Sequence, residues 1–147
     1  MGAHLSEDEY RRIYADTKTI AVVGASDNRQ KAARAIPAYL QREGYRIIPV
    51  NPRGGTMFGE PVVTSLADVT EPVDVVDVFR PAEETPDIAR QAAALGAKVL
   101  WLQEGIHSDE AERIATEAGM TFISDTCMGH THWDLFHEHD HDTVEGP

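Results

Sequence analysis

The chain has 147 residues, enough for one domain with a sheet covered on both faces and short for two. Its hydrophobic fraction of 41% and charged fraction of 26% are those of a globular protein, and no apolar run approaches the ~18 residues of a membrane span. A net charge of −12 excludes the basic footprint that nonspecific nucleic-acid binding needs, but a local cluster of Arg, Lys and backbone N–H groups can still hold a small anion. The single cysteine, Cys127, allows no intrachain disulfide. The N-terminal segment lacks the basic-then-apolar pattern of a secretion signal, so a cytoplasmic location is expected for this acidic protein.

Ser6-Glu7-Asp8-Glu9 has the S-x-x-E form of a capping box and predicts a helix to about residue 15, with Leu5, Tyr10, Ile13 and Tyr14 on its apolar side. The first strand, 19–23, is apolar almost throughout, as expected when both faces are covered. It runs into Gly24-Ala25-Ser26. A small-residue turn leaving a strand lets a phosphate approach backbone N–H groups and the next helix N-terminus. That helix spans 32–43, with Ile36, Tyr39 and Leu40 inward and Gly44 as its stop. Pro37 is tolerated only near a helix start, so the regular part is expected to begin close to it.

The second strand, 46–50, ends in the sharply shaped loop Asn51-Pro52-Arg53-Gly54-Gly55. Residues 60–63 read as a short strand and 65–68 as a helical turn. A third strand, 73–79, closes at Arg80-Pro81. Helix 83–95 stops at Gly96, strand 98–102 leads to Gln103-Glu104-Gly105, helix 108–118 stops at Gly119, and 121–124 is the last strand. Residues 1–16 form an N-terminal helix of the same domain, 17–136 the domain proper, and 137–147 a His- and Asp-rich tail expected to be flexible.

Strands alternating with single helices predict an α/β fold: a Rossmann-like, doubly wound, mostly parallel sheet with helices on both faces. Ligands of such sheets bind beyond the carboxyl ends of the strands, where strand order reverses. Four segments are therefore expected to converge on one crevice: Gly24-Ala25-Ser26, Asn51-Pro52-Arg53, Phe79-Arg80-Pro81 and Gln103-Glu104-Gly105.

Gly24-Ala25-Ser26 is not G-x-G-x-x-G, and Asn51-Pro52 stands where a dinucleotide fold places its ribose-binding acid. Both departures count against a conventional NAD enzyme. The turn can equally be a plain strand-to-helix connection. Arg53 can hold a phosphate through paired N–H donors, or be a solvated loop arginine; its place at the expected crevice favours the first. Arg29, Lys31 and Arg34 are candidate phosphate neighbours or solvated helix-start residues. Phe79 and Pro81 can pack on an adenine or a pantetheine arm, or cap the core. No catalytic constellation emerges: no Ser-His-Asp set suggests itself, His107 is isolated, and Cys127 reads as a small buried hydrophobe. His130, His132, His137, His139 and His141 are interleaved with Glu138, Asp140 and Asp142. Such side chains can take Zn²⁺ or Ni²⁺, but the spacing matches no ordered motif. They read as incidental histidines of an acidic tail, and no metal site is assigned.

The run VVGAS, GYRIIPVNPR, G-G-x-x-F-G-E-P-V, SLADVTEPVDVVDVFRP, GAKVLWLQEGI and D-T-C-M resembles the small single-domain CoA-binding proteins, which are similar to the N-terminal domain of the succinyl-CoA synthetase α subunit. The resemblance covers about residues 17–136. It implies a Rossmann-like domain whose glycine turn meets the CoA phosphates and pantetheine. On this chain it carries the contact to Gly24, Ala25, Ser26 and Lys31, to Arg53 after Asn51-Pro52, to Phe79, Arg80 and Pro81, and to Leu102, Gln103 and Glu104. Gln30-Lys31-Ala32-Ala33 departs from the Pro and Ser of many members, and Thr126 stands where the family commonly has Arg. The synthetase's phosphohistidine domain has no counterpart here, so ligase activity by this chain alone is not expected.

The leading expectation is a nucleotide-binding module for coenzyme A or an acyl-CoA, without demonstrated catalysis. The alternatives are an NAD(P)-dependent oxidoreductase on the same fold, and a CoA-binding partner subunit acting in trans with an acyl-CoA synthetase. A redox role, with Cys127 in a mixed disulfide with CoA, is a weaker fourth. A homo-oligomer or an acyl-CoA-handling enzyme is the expected kind of protein partner; nucleic acid and membrane are not.

Overall fold

The computed structural model describes residues 5–137. Strand β1 (Thr19–Val23) lies between β2 (Arg46–Val50) and β5 (Val75–Val78), and β6 (Val99–Leu102) and β7 (Thr121–Ile123) continue outward in the order β2-β1-β5-β6-β7. All four pairings are parallel. A parallel sheet needs cover on both faces, and the strands supply apolar residues on both. Ile20 and Val22 face one layer, Ala21 and Val23 the other.

Helices α1 (Glu7–Asp16), α2 (Ala32–Arg42) and α5 (Met128–His137) cover the first face; α3 (Thr85–Leu95) and α4 (Asp109–Glu117) cover the second. Leu40 and Trp101 are fully buried in the first layer, each side chain stabilising the fold by roughly 2–3 kcal/mol relative to exposure. Capping follows the sequence. Ser6 and Glu9 form a reciprocal box at the start of α1, and Ser108 accepts the Ala111 N–H at the start of α4. No helix among the described residues is long and apolar enough to cross a membrane.

Four expectations change. Helix α2 begins at Ala32, as its span predicts, but it is regular from there and not only from near Pro37. Proline leaves the carbonyl four residues earlier without its helical donor; here the Ser26 N–H donates to that Ala33 carbonyl at 3.1 Å and replaces the missing hydrogen bond. The third main strand is shorter than 73–79, because the Asp74 carboxylate turns back to accept the Lys18 and Thr19 N–H groups at 2.8 and 3.0 Å. Residues 56–61 form a two-stranded hairpin, β3 (Thr56–Met57) and β4 (Glu60–Pro61), with Phe58 at φ 57° and Gly59 at φ 74° in its turn. The fourth change is α5. His130, His132 and His137 belong to this helix, which buries Met128, Gly129, His132 and Leu135. The rest of the expected tail, 138–147, lies outside the described residues.

Candidate functional site

The order β2-β1-β5 places the topological switch beside β1, because the chain leaves β1 to one side and returns on the other. A cleft of about 710 Å³ opens at the carboxyl ends of these three strands, within the usual range for small-molecule sites. Its wall includes Gly24, Ala25, Ser26, Lys31, Asn51, Pro52, Arg53, Phe79 and Arg80, so three of the four expected segments meet there. Pro81, Leu102, Gln103 and Glu104 are not among the residues described in that wall. For Leu102, Gln103 and Glu104 the reason is strand order: β6 is separated from β1 by β5, so its carboxyl end opens one strand away. Leu102 is a fully buried core residue, Gln103 is buried, and Glu104 and Pro81 are exposed.

Gly24 has φ 87°, in the left-handed region, and an added Cβ would lie 2.8 Å from Arg80 Cδ and 3.1 Å from the Phe79 carbonyl. The turn is thus pressed against the end of β5, and only glycine satisfies both the angle and the approach. The Gly24 N–H extends the sheet by donating to the Val50 carbonyl at 3.0 Å, and the Ser26 N–H is held by Ala33. Ser26 Oγ accepts the Asn28 N–H at 3.0 Å, and Asn28 Oδ1 accepts the Gln30 N–H at the same distance. The loop is therefore self-supporting, and its polar groups are mostly engaged.

Helix α2 is different. Its N-cap, Lys31, makes no side-chain capping bond, while Lys31 and Ala33 both line the cleft. An uncapped helix start carries open N–H groups and positive partial charge, which suits an anion. Asn51 joins the two loops: its Nδ2 donates to the Ala25 carbonyl at 2.9 Å and its Oδ1 accepts the Arg53 N–H at 2.8 Å. An asparagine engaged in this way is a brace between loops, not a ribose acceptor.

Three cations stand in the wall, Lys31, Arg53 and Arg80, with the carboxylates Asp27 and Glu84 nearby. Arg80 donates twice to Glu84, at 2.9 and 2.7 Å, with both side chains about half exposed. This paired hydrogen bond holds the Glu84 carboxyl below its usual range and raises the Arg80 guanidinium. Of the sequence candidates outside the wall, Arg34 lies over the Phe58 ring at 5.5 Å. Apolar lining comes from Val23, Val50, Met57, Leu66, half-buried Phe79 and Ile88. The lining thus combines cations suited to phosphate with apolar side chains suited to an aliphatic arm.

Two arrangements escaped the sequence reading. Asp77 is fully buried on central strand β5; Gln103 Nε2 donates to its Oδ1, and its Oδ2 has no partner among the described residues. Burial pushes its carboxyl up to about 7, against the opposing effect of Gln103. An acid at an inward position of an apolar strand was the available signal. His107, read as isolated, bridges Ser124 Oγ at 2.8 Å through Nδ1 and Asp109 Oδ1 at 2.8 Å through Nε2. A nucleophilic triad needs a buried acid and donors for an oxyanion. The Asp109 side chain is 87% exposed, and the array braces the loop before α4 against the end of β7. Cys127, just before α5, is half-buried; burial pushes its thiol up, and it lies outside the cleft wall.

The comparisons agree with this architecture. The sequence pattern of the CoA binding domain matches residues 18–133. A Thermus thermophilus protein designated cell-free ID.343 superposes with a TM-score of 0.86 at 42% identity, over 90% of this chain and 100% of that one. The Bacillus subtilis protein YneT, itself uncharacterized, is 37% identical over 127 residues, covering 86% of this chain and 94% of its own. The ADP-forming acetate–CoA ligase of Methanocaldococcus jannaschii is 25% identical over 128 residues, 80% of this chain but only 18% of the ligase. The family pattern spans most of the chain, and the protein belongs to the CoA-binding domain family.

Proposed function

We propose that the cleft binds coenzyme A or an acyl-CoA, and that the chain acts as a binding module rather than as a complete ligase. The observation that carries this reading is the convergence at one switch-point cleft of an uncapped helix start, three cations and an apolar wall. Phosphates suit the α2 N-terminus with Lys31 and Arg53. The pantetheine arm suits the side made by Phe79, Leu66 and Ile88. Arg80 is available to phosphate once its pairing with Glu84 exchanges, a step cheap enough at an exposed ion pair. The NAD(P) alternative is disfavoured because the residue at the ribose position, Asn51, is engaged by Ala25 and Arg53.

Calorimetry with CoA, acetyl-CoA, NAD⁺ and NADP⁺ tests the reading. CoA or acetyl-CoA binds and the dinucleotides do not; tight NAD⁺ binding without CoA binding overturns it. Arg53→Ala weakens CoA about tenfold, the scale of one charge-assisted hydrogen bond. It weakens pantetheine-like fragments lacking phosphate much less; equal losses contradict a phosphate role.

A second reading follows from the ligase relative, in which the matched region is 18% of the length. The chain supplies CoA binding in trans to a larger acyl-CoA-handling enzyme. A stable complex in a pull-down distinguishes this from a free-standing binder.

A further inference from the structure

The C-terminal ends of α2 and α5 meet on the face away from α3 and α4. Glu43 caps α2, and His132 and His137 project from α5. Glu43 Oε1 lies 3.0 Å from His137 Nε2 and 3.9 Å from His132 Nδ1. One donor atom from each of the three residues lies within 4.8 Å of the other two. Ligand atoms held about 2.0–2.1 Å from a tetrahedral Zn²⁺ sit roughly 3.4 Å apart. The cluster is therefore close to a coordination triangle before any movement.

The rings are held from outside. His137 stacks on Trp133, with centroids 4.5 Å apart and planes at 19°. His132 is buried among Tyr14, Tyr39, Tyr45 and Phe136, with Tyr14 edge-on at 5.0 Å and Phe136 at 4.6 Å. Packing of this kind orients metal-binding imidazoles. Helix α2 ends here, so its C-terminal dipole favours a cation.

A surface ion pair to Glu43 needs one imidazole, yet two converge on the same carboxylate oxygen. His132 Nδ1 and His137 Nε2 both face Glu43 Oε1, the first ring inside the core and the second at its rim. The Tyr39 hydroxyl shares a 2.7 Å hydrogen bond with His132 Nδ1, and that bond must yield when a metal takes the nitrogen.

We propose that Glu43, His132 and His137 form a binding site for a divalent transition metal of the Zn²⁺ type, tying the end of α2 to α5. Two imidazoles and one carboxylate select a borderline metal over Mg²⁺ or Ca²⁺, which prefer all-oxygen shells. The third protein ligand leaves a fourth position for water. The site is independent of the CoA reading, since it lies at the opposite end of α2 from the cleft.

The test is calorimetric titration of the chelator-treated, full-length protein with Zn²⁺, repeated with Mg²⁺, together with thermal unfolding and Co²⁺ visible spectra. One Zn²⁺ per chain is expected, with a rise in Tm that Mg²⁺ does not produce and the intense visible bands of four-coordinate Co²⁺. Glu43→Gln and His137→Gln, both at residues reachable from solvent, lower Zn²⁺ affinity at least tenfold to a hundredfold, on the order of a lost coordination partner. Replacing His139 and His141 together with Gln changes it by less than about threefold. Far-ultraviolet circular dichroism of Glu43→Gln matching the parent shows that the loss is not unfolding. If Glu43→Gln binds like the parent while the His139/His141 variant loses Zn²⁺, the histidines beyond α5 chelate the metal and the proposal falls. It also falls if Zn²⁺ leaves Tm unchanged.

Discussion

Helix α2 starts at the cleft with no side chain closing its first turn, and it ends against α5 with Tyr39, Glu43, His132 and His137 packed and paired. The N-terminal end is left polar and open, where an anion can complete it. The C-terminal end is closed by side chains from a remote part of the chain. The difference is one of how the two helix ends are satisfied: the C-terminal end by packed side chains, the N-terminal end by groups left open at the cleft.

The severest way to break this contrast is Gly24→Val. A β-branched residue at φ 87° that also presses on Arg80 and the Phe79 carbonyl costs about 3–5 kcal/mol of stability and removes CoA binding. Urea denaturation and calorimetry check both; a variant with parent stability and affinity shows that the turn does not shape the cleft.

Asp77 sharpens the contrast, because its Oδ2 also has no partner among the described residues but is fully buried and outside the cleft wall. Its carboxyl is raised from 3.8 to about 7, so the folded protein holds a proton that the unfolded chain has released. Its contribution is fully favourable below the unfolded value, declines as pH rises toward the folded one, and is lowest above it. Between about pH 5 and pH 8 the parent loses roughly 2–3 kcal/mol from this group, at ~1.4 kcal/mol per pKa unit. Asp77→Asn flattens that decline in denaturation curves at the two pH values; an unchanged slope assigns the pH dependence elsewhere.

Tyr39→Phe probes the closed end of α2. It leaves His132 Nδ1 without its 2.7 Å hydrogen-bond partner and lowers stability by about 1–2 kcal/mol, with CoA affinity unchanged. A drop in CoA affinity of tenfold contradicts the separation of the two ends.

The smallest effect is at the open end. Lys31→Ser adds a capping hydroxyl, raises stability by about 0.5–1 kcal/mol and weakens CoA several-fold. Lys31→Ala loses the cation without adding the cap, and so lowers affinity without the gain in stability. Paired melting curves and titrations separate cap from charge.

The sheet was legible because its strands are buried on both faces and therefore appear as short apolar runs. The predicted 19–23 and 46–50 coincide with β1 and β2. Glycine stops and serine caps marked the helix ends for the same local reason. Helix α5 was not legible as a helix. Met128, His132 and Leu135 do fall on one face, but a buried histidine becomes favourable only with the Tyr39 hydroxyl and the Tyr14 and Tyr45 rings around it. Asp77 was hidden similarly, since its partner Gln103 lies on the segment after β6.

Local pattern by itself determined the strand and helix alternation, the glycine turn at Gly24 and the cationic loop at Arg53, because backbone angles, capping and two-sided burial act over a few residues. Tertiary structure alone decided which strand ends share the cleft. The order β2-β1-β5-β6-β7 is set by how the crossovers pack, and it brings Phe79 and Arg80 to Gly24 while leaving Leu102, Gln103 and Glu104 one strand away.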